Sequence, residues 1–130
     1  MDESQLCPCG SGQDYVNCCG CYLDDGEAAS TAEQLMRSRY CAYVQRNSAY
    51  LLRSWHESTR PADLDLQADK AIKWLGLDIV KTEAGGAADV SGIVEFVARY
   101  KLNGKAVRLH ECSRFRREAG QWLYVDGVIE

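Results

Sequence analysis

The stretch VSGIVEFVARYKLNGKAVRLHECSRFR, residues 90–116, decides the fold. At its centre Asn103-Gly104 sits between two runs of alternating apolar residues. Both central positions of a tight hairpin turn need positive φ, and Asn-Gly meets that need best. The pattern predicts strands over Val90–Leu102 and Lys105–Arg116. A two-residue turn pairs Leu102 with Lys105, and every other pair follows from that register. One face then carries Val94, Phe96, Ala98 and Tyr100 opposite Ser113, Glu111, Leu109 and Val107. The other carries Glu95, Val97, Arg99 and Lys101 opposite Cys112, His110, Arg108 and Ala106. The first face is the core side.

Two polar residues stand on that apolar face. Glu111 faces Phe96, and Ser113 faces Val94. A carboxylate on an apolar face needs a partner or a changed protonation state. Two readings stay open. In one, an arginine pairs with Glu111, with Arg37, Arg39 and Arg60 as the available residues. In the other, Glu111 and Ser113 floor a ligand pocket. The pocket candidates are Arg39, Trp55, His56, Arg60, Phe96, Tyr100, Glu111 and Ser113, and Glu111 is the candidate catalytic acid or base. Trp55 and His56 suit either the mouth of that pocket or the capped open end of a core. His110 falls on the opposite face and reads as a surface histidine. Spacing alone assembles no Ser-His-Asp or Cys-His set.

Outward from the hairpin, Gly120 turns the chain into a last strand over Gln121–Asp126. Gly85-Gly86 separates the hairpin from an earlier strand over Leu77–Thr82. Upstream, Ser30-Thr31-Ala32-Glu33-Gln34 offers a capping box in two registers, Ser30 with Glu33 or Thr31 with Gln34. Ala32, Leu35, Met36, Tyr40, Tyr43 and Val44 then recur at helical spacing. Asn47 suits a stop. Ser48 suits the cap of a short second helix through Trp55, which Arg60-Pro61 ends. A third helix is predicted over Leu66–Leu75, stopped by Gly76. Helices first and antiparallel strands second make an α+β chain.

The first 25 residues differ in kind. They hold five of the seven cysteines and few aliphatic residues, so they cannot build an apolar core. Asp24-Asp25-Gly26-Glu27 is a polar break, which divides the chain into a head over 1–25 and a domain over 26–130. Within LCPCGSGQDYVNCCG, residues 6–20, Cys7 and Cys9 offer two thiolates from one turn and Cys18 and Cys19 two from another. Four thiolates suit one tetrahedral zinc ion in a closed structural site. Iron(II) would use the same residues. Metal binding would supply the head's folding energy, on the order of 10 kcal/mol for small zinc modules. Cys21 is a spare thiol near the cluster. Cys41, on the first helix, reads as a small buried apolar residue.

Charge is unevenly distributed. Asp2, Glu3, Asp14, Asp24, Asp25 and Glu27 precede the first basic residue, Arg37, and the whole chain carries −4. Such a head has no footprint for phosphate backbones or anionic lipid. Arg99, Lys101, Arg108, Arg114 and Arg116 cluster on the outer face of the hairpin. Arg99 lies opposite Arg108, which hints at an anionic partner there. The net charge argues against a general nucleic-acid binder, and a solvated face is the default. No apolar run reaches the length of a membrane span, and the acidic N-terminus lacks the features of a signal peptide, so the expected compartment is the cytoplasm. There, clustered thiols read as metal ligands before disulfides.

Cys7-x-Cys9-x-Ser11-Gly12, five residues, then Cys18-Cys19 resembles the SEC-C motif, the zinc-binding tail motif of the bacterial SecA translocase. That motif followed by "TAEQLMRSRYCAYV", "LLRSWHESTRP", "GIVEFVARY", "RLHECSRF" and "WLYVDG" resembles the YchJ-like family of small bacterial proteins. The resemblance implies a nuclear-transport-factor-2-like (SnoaL-like) domain, in which helices pack into the concave side of a bent antiparallel sheet. It implies no activity, because that fold hosts enzymes and binding domains alike.

Two functions follow as expectations. The first is an adaptor: a zinc knuckle on a flexible tether docks onto a cytoplasmic protein associated with translocation, chaperones or ribosomes. The acidic head favours a basic partner surface. The second is an enzyme of isomerase or hydrolase type, with a small ligand held over Glu111.

Overall fold

In the computed structural model, which describes residues 6–64 and 72–129, the chain is α+β. A 3-10 turn, Tyr15–Asn17, and a short helix α1, Gly20–Leu23, build the N-terminal knuckle. Helices α2, Ala32–Gln45, and α3, Ser48–Arg53, follow. Four strands complete the chain: β1, Ile72–Ala84; β2, Ser91–Leu102; β3, Lys105–Glu118; and β4, Gln121–Ile129. They form one antiparallel sheet in sequence order.

The hairpin register is the one the turn dictates, with Leu102 against Lys105, Phe96 against Glu111 and Val94 against Ser113. Asn103 and Gly104 both have positive φ, as a two-residue turn of this hand requires. The other strands are longer than the sequence suggests. The helix expected over Leu66–Leu75 is corrected at its C-terminal end, since Ile72–Leu75 belong to β1; residues 65–71 lie outside the described residues. Trp74 and Leu77 both face the core despite their odd spacing, because the β1–β2 register shifts between Trp74 and Gly76. Such a bulge breaks the period-two pattern that sequence reading relies on. The β1–β2 register shifts again between Ile79 and Lys81, and the β3–β4 register shifts between Arg114 and Phe115.

Helix α2 begins where the second of the two capping registers puts it. Thr31 Oγ1 accepts the N–H of Gln34 at 3.1 Å, while Gln34 Oε1 accepts the N–H of Ser30 at 2.8 Å. The helix closes on Arg46 in the left-handed region. Asn47 is therefore the cap of α3, taking the N–H of Tyr50 on its side chain, rather than the stop of α2. α2 packs on the sheet face that carries Leu77, Val94, Phe96, Ala98 and Phe115. Ser38, fully buried, donates to Leu35 O at 2.7 Å and meets Tyr50 Oη at 2.6 Å, which locks α2 to α3. Trp122 of β4 donates its indole N–H to Ser30 O, which fixes the entry to α2 against the far strand.

The outer face of the sheet is neutralised internally. Arg99 does lie opposite Arg108, but Asp78 of β1 pairs with Arg99. Asp126 holds Arg114 through two hydrogen bonds of 2.6 Å. His110 faces outward as expected and meets Glu95 at 2.6 Å. The hint of an anionic partner on this face is thereby removed for Arg99 and Arg114, whose counter-ions come from the neighbouring strands.

Thr31→Ala removes a helix cap and is expected to destabilise the protein by about 1 kcal/mol. Urea unfolding would show this as a lower midpoint at unchanged slope.

Candidate metal centre and cavity

The knuckle is built from tight turns. Cys7 N–H bonds Gln13 O at 2.8 Å, and Gly10 N–H returns to Cys7 O at 3.2 Å. Gly10 (φ +83°) occupies the left-handed region, and a Cβ there would meet Leu77 O at 3.0 Å. Only glycine allows the turn to lie this close to β1. On the second arm, Cys18 N–H bonds Tyr15 O at 3.0 Å, closing the 3-10 turn.

These turns bring Cys7, Cys9, Cys18 and Cys19 together, with all four Sγ atoms within 4.8 Å of one another. A tetrahedral ion with metal–sulfur bonds of about 2.3 Å needs sulfurs about 3.8 Å apart. Cys9 and Cys18 already lie 3.7 Å apart. The donor set therefore fits one tetrahedral thiolate-bound ion without rebuilding the loop. Ser11 Oγ lies 3.1 Å from Cys18 Sγ. Arg37 Nη1 donates to Cys9 O at 2.8 Å and lies 3.7 Å from Cys9 Sγ. Hydrogen bonds from Cys19 and Cys41 pull the Cys9 thiol well below its ordinary range, with Ser11 and Arg37 adding to them and burial opposing. Cys19 is correspondingly pushed up by its bonds to Cys41 and Cys9.

One expectation changes here. The head is not on a flexible tether. Cys7, Cys9 and Cys19 are buried in the same apolar cluster as Leu35, Leu77, Phe96 and Trp122. Cys41 is buried in that cluster as expected, and its Sγ also lies 3.4 Å from Cys7 Sγ. Sequence spacing could not show this, since Cys41 arrives from α2. Cys21 stays apart and bonds Val16 O.

On the other side of α2 lies a cavity of about 230 Å³. Met36, Arg39, Tyr40, Trp74, Glu111 and Tyr124 are among the residues that line it, and Phe96 and Ser113 also reach it. Of the residues singled out from sequence, this joins Arg39, Phe96, Glu111 and Ser113. Trp55 stands behind Arg39, with its ring 4.9 Å from the guanidinium carbon. His56, Arg60 and Tyr100 lie outside the lining. His56 is held between Glu118 and Ser58, each at 2.7 Å, Arg60 is exposed, and Tyr100 packs on Trp74.

Arg39 is only 3% exposed. It donates to Leu51 O at 2.9 Å and Ser54 Oγ at 2.7 Å, and its guanidinium lies 4.5 Å from the Tyr124 ring. Burial lowers its pKa, and the field of Glu111 works the other way. Glu111 accepts a hydrogen bond from Ser113 Oγ at 2.8 Å. Among the described residues no ion pair within 4 Å joins Glu111 to an arginine: Arg37 is held by Glu33 and Cys9, and Arg39 by α3. Burial, aided by Glu111, pushes the Tyr124 phenol up to about 12. The carboxylate of Glu111 occupies space that a larger residue at position 127 would take. A Cβ there would overlap Glu111 Oε2 unless the carboxylate moved.

The SEC-C motif matches residues 4–20, and "YchJ, middle NTF2-like domain" matches residues 31–127. A UPF0225 protein of Chromobacterium violaceum is 53% identical over 125 residues, covering 95% of this chain and 92% of that protein. A UPF0225 protein of Streptomyces coelicolor is 50% identical over 121 residues, covering 93% of each. The solution structure of a SEC-C motif containing protein from Rhodopseudomonas palustris superposes with a TM-score of 0.83 at 32% identity, covering 94% of this chain and 96% of that one. The crystal structure of a SEC-C motif containing protein from Psychrobacter arcticus gives 0.77 at 28% identity, covering 97% and 83%.

Purified protein should carry one equivalent of metal by elemental analysis, and the Cys7→Ser/Cys9→Ser variant should carry none. Because the thiols share the apolar cluster, chelation should lower the melting temperature of the whole chain rather than melt the head alone. Gly127→Ala should cost about 1–3 kcal/mol through the clash with Glu111. Adding Glu111→Ala should recover much of that loss, measured as a double-mutant cycle.

Proposed function

The chain belongs to the YchJ-like UPF0225 family, a SEC-C motif followed by an NTF2-like domain, and from that premise we propose that it is a zinc-binding protein-interaction adaptor. The observation that carries this reading is on the knuckle surface. Leu6 and Val16 are 67% and 68% exposed, on a segment that the metal ligands hold in shape. Leu6 forms a β-bridge with Asp14, and the stretch up to residue 30 also holds Asp24, Asp25 and Glu27 with no Lys or Arg. Apolar side chains within an acidic segment suit a basic protein surface, with burial supplying affinity and charge steering the approach. Cytoplasmic partners of that kind include ribosomal proteins and chaperone-associated factors. Zinc is preferred over iron because a closed four-thiolate site needs no redox chemistry. The NTF2-like domain then serves as the body against which the knuckle is braced.

A second reading rests on the cavity. Apolar walls with a buried arginine and a carboxylate are the composition of a small-ligand site, and about 230 Å³ suits a small one. There Glu111 would accept a proton or a hydrogen bond from the ligand.

The test is affinity capture from bacterial lysate with three proteins: wild type, Leu6→Asp/Val16→Asp, and Cys7→Ser/Cys9→Ser. Wild type should retain basic partners that salt elutes. The surface variant should lose them while keeping its metal, and the cysteine variant should lose both. Identical partners for all three would sink the adaptor reading. A ligand screen by thermal shift, comparing wild type with Glu111→Gln, decides the second.

A further inference from the structure

Helix α2 presents a stripe one turn apart, Arg37, Cys41 and Gln45, and each member reaches a different part of the knuckle. Arg37 holds Cys9 through its carbonyl and lies beside its sulfur. Cys41 Sγ meets Cys7 Sγ at 3.4 Å. Gln45 Nε2 donates to Tyr15 Oη at 2.7 Å. Residues four apart on a helix lie above one another, so this is one continuous contact face. Arg37 and Cys41 lie outside the SEC-C match, which spans residues 4–20.

A structural role alone does not call for sulfur at position 41. Cys41 is fully buried, and alanine would fill much of the same space. What sulfur adds is an S–H donor next to a metal-binding thiolate. Four thiolates around a divalent ion carry a net charge of −2, and they are being placed in an apolar cluster. Donors to the sulfurs disperse that charge. Ser11 does this for Cys18 from within the motif. Cys9 receives a donor from α2 in Arg37, and Cys7 meets the Cys41 thiol of the same helix.

We propose that Cys41 and Arg37 are positioning residues of the metal centre: Cys41 donates its S–H to the Cys7 thiolate, Arg37 holds Cys9, and the metal affinity of the SEC-C motif is thereby set by the NTF2-like domain. The four ligands remain Cys7, Cys9, Cys18 and Cys19. The metal and helix α2 become mutually dependent, so the knuckle is shaped for metal only when α2 is in place, and metal in turn secures α2.

The experiment measures zinc affinity by competition with a chromophoric chelator, using the full chain. Wild type, Cys41→Ala, Cys41→Ser and Arg37→Met are compared. Each protein is also loaded with cobalt(II), whose absorption reports the number of thiolate ligands, and melted in the metal-free form. Cys41→Ala and Arg37→Met should each lose about tenfold in zinc affinity, at the lower end for outer-shell changes. Cys41→Ser, which restores a donor, should recover most of the loss. The cobalt spectra should keep four-thiolate character in every variant, and the metal-free melting temperatures should match wild type. Three results overturn the proposal. Unchanged affinity in Cys41→Ala removes the role. Loss of thiolate-to-cobalt intensity in Cys41→Ala makes Cys41 a ligand instead. A serine variant as weak as alanine, or metal-free forms that melt lower, assigns the residue to packing.

Discussion

Four cysteine sulfurs within 4.8 Å of one another, three of them buried beside Leu77 and Phe96 and the fourth, Cys18, half-buried, set the terms for the rest of the molecule. Thiolates crowded into an apolar cluster repel each other and lose their hydration, so they ionise together only around a cation. A metal ion meets that constraint, and donors from the surrounding protein ease it. The knuckle needs those donors because it has few apolar residues of its own. It obtains them by lying against α2 rather than projecting into solvent. A SEC-C motif placed in this way is part of the fold, and a metal bound there would stabilise residues far outside the motif.

Helix α2 serves two sites through two faces. Arg37, Cys41 and Gln45 face the thiol cluster, while Met36, Arg39, Tyr40 and Tyr43 face the cavity. The cavity depends on the same logic of compensated charge. Arg39 is buried with two oxygen acceptors and two aromatic rings around its guanidinium, and Glu111 takes a hydroxyl from Ser113. Neither charge is paired directly with the other. Both line the cavity, and among the described residues no buried side-chain nitrogen or oxygen is left without a hydrogen-bond partner. Gly127 supplies the room that Glu111 occupies.

The exposed side of the sheet is quieter. Arg99 and Arg114 are answered by Asp78 and Asp126 from adjacent strands, and Glu95 answers His110. Exposed pairs of this kind each contribute little to stability. Exposed apolar side chains occur on the knuckle, at Leu6 and Val16, and also on the strands, at Leu75, Val80, Leu102, Val128 and Ile129.

The hairpin register, the thiol quartet and the order of elements were legible in the chain because each depends on local chemistry. Asn103-Gly104 admits one tight turn, two cysteine pairs flanking a glycine-rich turn suit one ion, and Thr31 with Gln34 marks a helix start. The α+β class followed from their order. What tertiary structure alone decided is where elements distant in sequence meet. Cys41 looked like an ordinary core residue until α2 carried it to Cys7, 34 residues away. Ile72–Leu75 read as helical because a bulge at Gly76 hides the strand period. The partner expected for Glu111 depended on where three arginines would point, and the knuckle and α3 engaged two of them first. Local patterns specify turns, caps and ligands, because those energies act over a few residues. Which buried charge meets which donor depends on packing across the whole chain, and only the folded molecule resolves it.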